Sequence, residues 1–131
     1  MILDTSALIA ILRNEPDAPI FARILADRVE PCRLSAANYL EASVVIDSNC
    51  DPIASRRLDD PIAMADISIE DVTAKQAHLA RAAYRIYGKG CGHPARLNFG
   101  DCFAYALAQE FNECLLFKGN DFTHTDVIPC G

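Results

Sequence analysis

Asp4, Glu41, Asp101 and Asp121 are spread across a chain of 131 residues, yet each stands where an alternating strand and helix pattern delivers it to one edge of a sheet. Carboxylates gathered from such positions bind hard divalent cations. An all-oxygen donor set without His or Cys suits Mg²⁺ or Mn²⁺ and not zinc. Two such ions can activate water for in-line attack on a phosphodiester and stabilise the leaving oxygen. Ser6 and Asn120 lie close to the first and last acids. They are candidates to orient a water or a phosphate, and plain capping and turn roles suit them as well.

The same acids also have structural uses. Asp4 can stabilise the start of a first helix, and Asp101, three residues after Asn98, has the place of the acid in a capping box. Asp121 follows Gly119 and Asn120 in a turn-forming run. Glu41 resists such an account. Ala37, Val44 and Val45 at helical spacing put it on an apolar face, with no Lys or Arg within a turn of it. A buried unpaired carboxylate costs several kcal/mol unless a cation or another segment compensates.

The elements that must carry these residues read as follows. A strand Ile2 to Asp4 runs into a helix bearing Ala7, Leu8, Ile11 and Leu12 on one face, capped by Thr5 or Ser6 and ending near Asn14. Pro16 opens a second helix that breaks near Pro31, and a strand Cys32 to Leu34 follows. Helices are expected over 36–48 and from Asp51-Pro52 to about Ala65, then a strand Ile67 to Glu70 and a long helix from Thr73 to Tyr87. A glycine-rich loop from Gly88 precedes a helix Asn98 to Phe111. A buried strand Cys114 to Phe117 and an edge strand Asp126 to Ile128 complete the chain. Strand and helix in alternation predict an α/β fold: a three-layer sandwich around a mainly parallel sheet of four to five strands. Because right-handed crossovers place helix starts at the carboxyl edge of the strands, one edge receives all four acids.

Length fits one domain over 1–131. No apolar run approaches the roughly 20 residues of a membrane span, and no secretory leader is evident, so a cytosolic protein is expected. The six cysteines include no C-x-x-C pair and read as free, mostly buried thiols. Net charge is −6 at pH 7, which argues against a generic basic groove for nucleic acid, although carboxylate-bound cations can still receive a phosphodiester. Arg81, Arg85, Lys89, Arg96 and Lys118 are the candidate RNA contacts. The histidines have no paired nucleophile.

The runs Leu3 to Leu8, Asn38 to Ala42 around Glu41, Leu97 to Ala106 and Leu116 to Phe122 together resemble a PIN-domain protein of the VapC toxin type, over essentially the whole chain and in order. The resemblance implies a Mg²⁺- or Mn²⁺-dependent endoribonuclease, the toxin of a bacterial type II toxin-antitoxin system, with Asp4, Glu41, Asp101 and Asp121 as its acidic quartet. It implies tRNA or rRNA as substrate, a homodimer, and a VapB-type antitoxin bound in a heterotetramer or larger assembly. The negative charge suits a basic inhibitor. The alternative is a non-catalytic module of the same fold that docks a basic peptide. A haloacid-dehalogenase-type phosphotransferase also begins with a strand ending in Asp, but Ser6 stands where that class has its second Asp.

Overall fold

A computed structural model describes residues 1–131. The sheet has four strands, β1 (Ile2–Leu3), β2 (Cys32–Ser35), β3 (Ile67–Glu70) and β4 (Leu115–Leu116). They lie in the order β3-β2-β1-β4, and every neighbouring pair is parallel. Seven helices cover it: α1 (Thr5–Leu12), α2 (Ala18–Asp27), α3 (Ala36–Asp47), α4 (Pro52–Arg57), α5 (Asp59–Met64), α6 (Ala74–Tyr87) and α7 (Phe99–Phe111).

Strand pleating divides the core in two. Ile2 pairs with Leu115 and Leu3 with Leu116. Ile2 and Leu115 point into one apolar cluster with Ala80, Leu97, Ala104 and Leu107. Leu3 and Leu116 point into the other, with Leu8, Leu25, Leu34, Ile46 and Ile62. Each of these strand leucines is essentially sealed from solvent, worth roughly 1.5–3 kcal/mol per side chain on transfer from water. The result is the expected three-layer sandwich.

The chain order sets where ligands can go. From β1 the chain crosses to β2 and on to β3, then returns to the other flank of β1 as β4. The crossovers diverge between β1 and β4, and in open α/β sheets the crevice outside the carboxyl ends of such a pair is the ligand site. Asp4 follows β1 directly, and Asp121 lies in the turn beyond β4.

Several local expectations change. The helix expected from Pro52 to about Ala65 is two short ones meeting at Leu58. Pro61 lacks the N–H that would bond the Arg57 carbonyl, and Leu58 turns inward to 3% exposure. The edge strand at 126–128 does not form. That segment makes one isolated bridge, Leu115 with Pro129, as Leu115 N–H donates to Ile128 O and Cys130 N–H to Leu115 O. This return lays Cys130 beside Cys114, and the two are disulfide-bonded. The expectation of six free, mostly buried thiols is therefore corrected: Cys32 and Cys102 are free and buried, whereas Cys50 and Cys91 are free and exposed.

Candidate active site

Asp4 caps α1 itself, in place of the Thr5 or Ser6 expected from the sequence. Its Oδ2 accepts from Ser6 N–H at 2.9 Å and from Ser6 Oγ at 2.6 Å. The same Ser6 hydroxyl accepts Lys118 N–H at 2.9 Å, so one serine ties the end of β1 to the turn after β4. The other oxygen, Oδ1, is buried with no hydrogen-bond partner. Burial raises the Asp4 carboxyl to about 6 against the lowering effect of Ser6, and the Glu41 charge adds to the rise.

Asp101 completes the predicted capping box at the start of α7: Asp101 N–H donates to Asn98 Oδ1 at 2.9 Å, and Asn98 N–H to Asp101 Oδ2 at 3.0 Å. Burial lifts its carboxyl far above the ordinary range, the Asn98 N–H opposes that, and the charges of Asp4 and Asp121 push it higher. Asp4 thus senses Glu41, and Asp101 senses both Asp4 and Asp121. The four acids form a row of electrostatic neighbours along the switch point; no three His, Cys, Asp or Glu side chains form a closed ligand cluster.

Glu41 is at the expected edge, though not for the expected reason. The buried face of α3 is Asn38, Ala42 and Ile46, while Val44 is 58% exposed. Glu41 is half-buried beside that face, held by contacts across the fold. Asn38 Nδ2 donates to Gly100 O at 3.0 Å and reaches Glu41 Oε1 at 3.4 Å. Thr5 Oγ1 donates to Asn38 O at 3.3 Å. At Gly100 a Cβ would stand 2.0 Å from Glu41 Oε2, so the carboxylate rests against bare backbone of α7 and a side chain at residue 100 would push it aside.

Asn38, Gly100 and Thr5 are the positioning residues that sequence reasoning missed. A polar Asn one turn before the acid, at i and i+3 on the same helix, was the available signal for the first. Nothing local marks Gly100, whose contact lies on another helix.

Asp121 is exposed, and with Asn98, Asn120, Arg96 and His124 it lines a polar cleft of about 350 Å³. Asn120 carries the turn through its carbonyl, which accepts Thr123 N–H and Oγ1. Of the basic candidates, Lys118 is engaged by Glu15 at 3.0 Å and Asp17 at 3.2 Å. Arg81, Arg85, Lys89 and Arg96 take part in no ion pair.

The family model described as PIN domain matches residues 1–128. The chain is 58% identical over 127 residues to VapC ribonuclease Mb0625 of Mycobacterium bovis, covering 97% of this chain and 95% of that protein. It is 47% identical over 129 residues to ribonuclease VapC42 of Mycobacterium tuberculosis, covering 98% of each. The crystal structure of Mycobacterium tuberculosis VapC20, titled a sarcin-ricin loop cleaving toxin, superposes with a TM-score of 0.74 at 18% identity, covering 97% of this chain and 95% of that one. The chain belongs to the PIN-domain family and, within it, to the VapC ribonucleases.

Proposed function

We propose that this VapC ribonuclease is a Mg²⁺- or Mn²⁺-dependent endoribonuclease, the toxin of a type II toxin-antitoxin pair, in which Asp4, Glu41, Asp101 and Asp121 hold the cation and the substrate phosphate completes its shell. The observation that carries the metal reading is the orphaned, buried Asp4 Oδ1, set among carboxyl groups that burial and mutual repulsion hold above their ordinary range. A divalent cation relieves both penalties, and these oxygen donors fit Mg²⁺ or Mn²⁺. When bound, it supplies charge to the phosphodiester and activates water for attack on phosphorus.

The protein's own groups divide the remaining work. Ser6 fixes Asp4 through Oδ2 and leaves Oδ1 free, and Asn98 does the same for Asp101. Asn38 and Gly100 set Glu41. Asp121, on the exposed side, meets the substrate from the polar cleft. We extend the reading to one domain over 1–131, acting in the bacterial cytoplasm on structured RNA such as tRNA or rRNA. A homodimer is held inactive by a VapB-type antitoxin whose basic segment covers the acids; no helix is long and apolar enough to cross a membrane. Purified protein should cut RNA with Mn²⁺ or Mg²⁺ and not in chelator. Calorimetric titration with Mn²⁺ separates this from a docking module, which predicts no divalent affinity.

Two further outcomes are expected. Ser6→Ala removes the hydroxyl that serves both Asp4 and Lys118, so it should destabilise the fold by about 1 kcal/mol and slow RNA cleavage roughly tenfold by loosening Asp4. Wild-type kinetics in this variant would remove Ser6 from the site. The second outcome concerns pH. The folded Asp4 carboxyl titrates near 6, above its unfolded value near 4, and Asp101 shifts the same way. Between these values the folded state binds more protons, so its stability falls as pH rises through that window. In chelating buffer the thermal midpoint should be higher at pH 5 than at pH 7.5, with Asp4 alone contributing about 1.4 kcal/mol over that interval. Millimolar Mn²⁺ should recover most of that loss at pH 7.5. A midpoint that rose with pH in chelator would contradict the clustered-acid site.

A further inference from the structure

We propose that the cleft between α6 and α7 is a nucleobase subsite: it takes one unstacked base of single-stranded RNA, with Phe99 as the stacking platform and Arg81 and Lys89 holding the adjoining phosphates. This rests on the ribonuclease reading and extends it, because it places part of the substrate outside the acids.

The cleft has a volume of about 610 Å³ and is walled by Tyr84, Phe99 and Phe103, with Arg81 and Lys89 also lining it. Room for a base and its ribose is ample. Phe99 is 79% exposed, which nothing in the fold requires, and it stands between the cap Asn98 and the site residues Gly100 and Asp101. Its ring is held edge to face by Phe103 at 5.0 Å. Tyr84 is fixed as well: its hydroxyl donates to Lys89 O at 2.9 Å, and its ring lies so close over Gly88 that a Cβ there would approach it to 2.7 Å. Rings held in advance lose little freedom when a base stacks on them.

Charge points to the same occupant. The stretch from Val72 to Gly100 contains no Asp or Glu, although the chain has 18 of them, and it carries Lys75, Arg81, Arg85, Lys89 and Arg96. None of these five cations takes part in an ion pair. A basic, aromatic surface on a net acidic protein matches a polyanion with π-faces, which is how single-stranded nucleic acid is held. A second copy of the chain is the competing occupant, but residues 72–100 of that copy would bring no acid to answer these cations. Lys89 and Asn98 line both this cleft and the polar cleft of Asp121, so an RNA strand can run from one to the other without leaving the protein.

The test is Mn²⁺-dependent cleavage of a fluorescein-labelled single-stranded oligoribonucleotide of mixed sequence by wild type, Phe99→Ala, Phe99→Leu and Phe99→Tyr, each first checked for an unchanged thermal midpoint. Loss of one stacking contact should raise KM by about 5- to 100-fold in the Ala and Leu variants with kcat near wild type, and Phe99→Tyr should restore it. Arg81→Ala should raise KM in a salt-dependent way. Wild-type cleavage with unchanged KM in Phe99→Ala overturns the subsite and leaves the ribonuclease reading intact; no cleavage of the oligonucleotide by wild type overturns the subsite, and no cleavage of purified tRNA and rRNA as well overturns both. Sedimentation run alongside covers the other occupant. Conversion of a dimer to monomers by Phe99→Ala, with KM per protomer unaltered, gives the cleft to contact between copies and overturns the proposal.

Discussion

Asp101→Asn should give a folded protein that no longer cuts RNA and that, in chelating buffer at neutral pH, is more stable than wild type. The two halves of this result come from different oxygens of one side chain. Asp101 Oδ2 accepts the Asn98 N–H, and an amide oxygen can take over that bond, so the capping box survives. The amide nitrogen then replaces the oxygen left for a cation, and the charge repelled by Asp4 and Asp121 is gone. Activity should fall on the order of 10²–10³-fold or more. Stability should rise by about 1–3 kcal/mol, read as a higher midpoint in urea with unchanged slope. Asp4→Asn is expected to behave alike, its amide oxygen taking the Ser6 bonds. Cleavage within tenfold of wild type would remove Asp101 from the site, and a destabilised variant would show that the carboxylate serves the fold more than it strains it.

Gly100→Ala should act on the site through Glu41. The added Cβ would lie 2.0 Å from Glu41 Oε2 and 2.6 Å from its Cδ, and α7 cannot withdraw because Gly100 is buried between Asn98 and Asp101. Either the carboxylate swings away or the helix start shifts, and both disturb an acid. We expect a loss of about 1–3 kcal/mol from overpacking and at least a hundredfold loss of cleavage, since misplacement by about 1 Å costs that much. The double variant Gly100→Ala with Glu41→Ala should regain most of the stability while remaining inactive, a coupling that a double-mutant cycle reads directly. Additive stability losses would mean that residue 100 and Glu41 do not touch.

The contrast between Asp101 and Gly100 shows what could be read from the chain alone. The helix caps at Ser35, Thr73 and Asn98 follow from residue type and spacing, and the acids at their expected edge follow from strand ends and crossover direction. These signals are local or obey a general handedness rule. The support for Glu41 is neither: Asn38 reaches Gly100 across 62 positions, and no periodicity on α3 announces it. An apolar face was therefore inferred for Glu41 where the fold offers a polar clasp. The C-terminal segment misled in the opposite way. Asp126 to Ile128 has the β-branched residues of an edge strand, but the segment meets β4 at a single bridge, because the disulfide to Cys114 and the burial of Phe122 and Val127 decide its course.

The glycine-rich stretch after α6 was the least readable of all, and it is nonetheless tied at its base, where Lys89 N–H donates to Leu97 O and Leu97 N–H to Tyr87 O. Its exposed Cys91 therefore rides on a fixed platform, with its sulfur 3.5 Å from Tyr84 O and Lys89, which lines both clefts, two residues away. With Cys50 replaced by serine, the native thiol becomes a single accessible attachment point for an environment-sensitive dye. Substrate arriving, a cation binding or an inhibitor peptide leaving could each be followed in real time from a residue the protein already has.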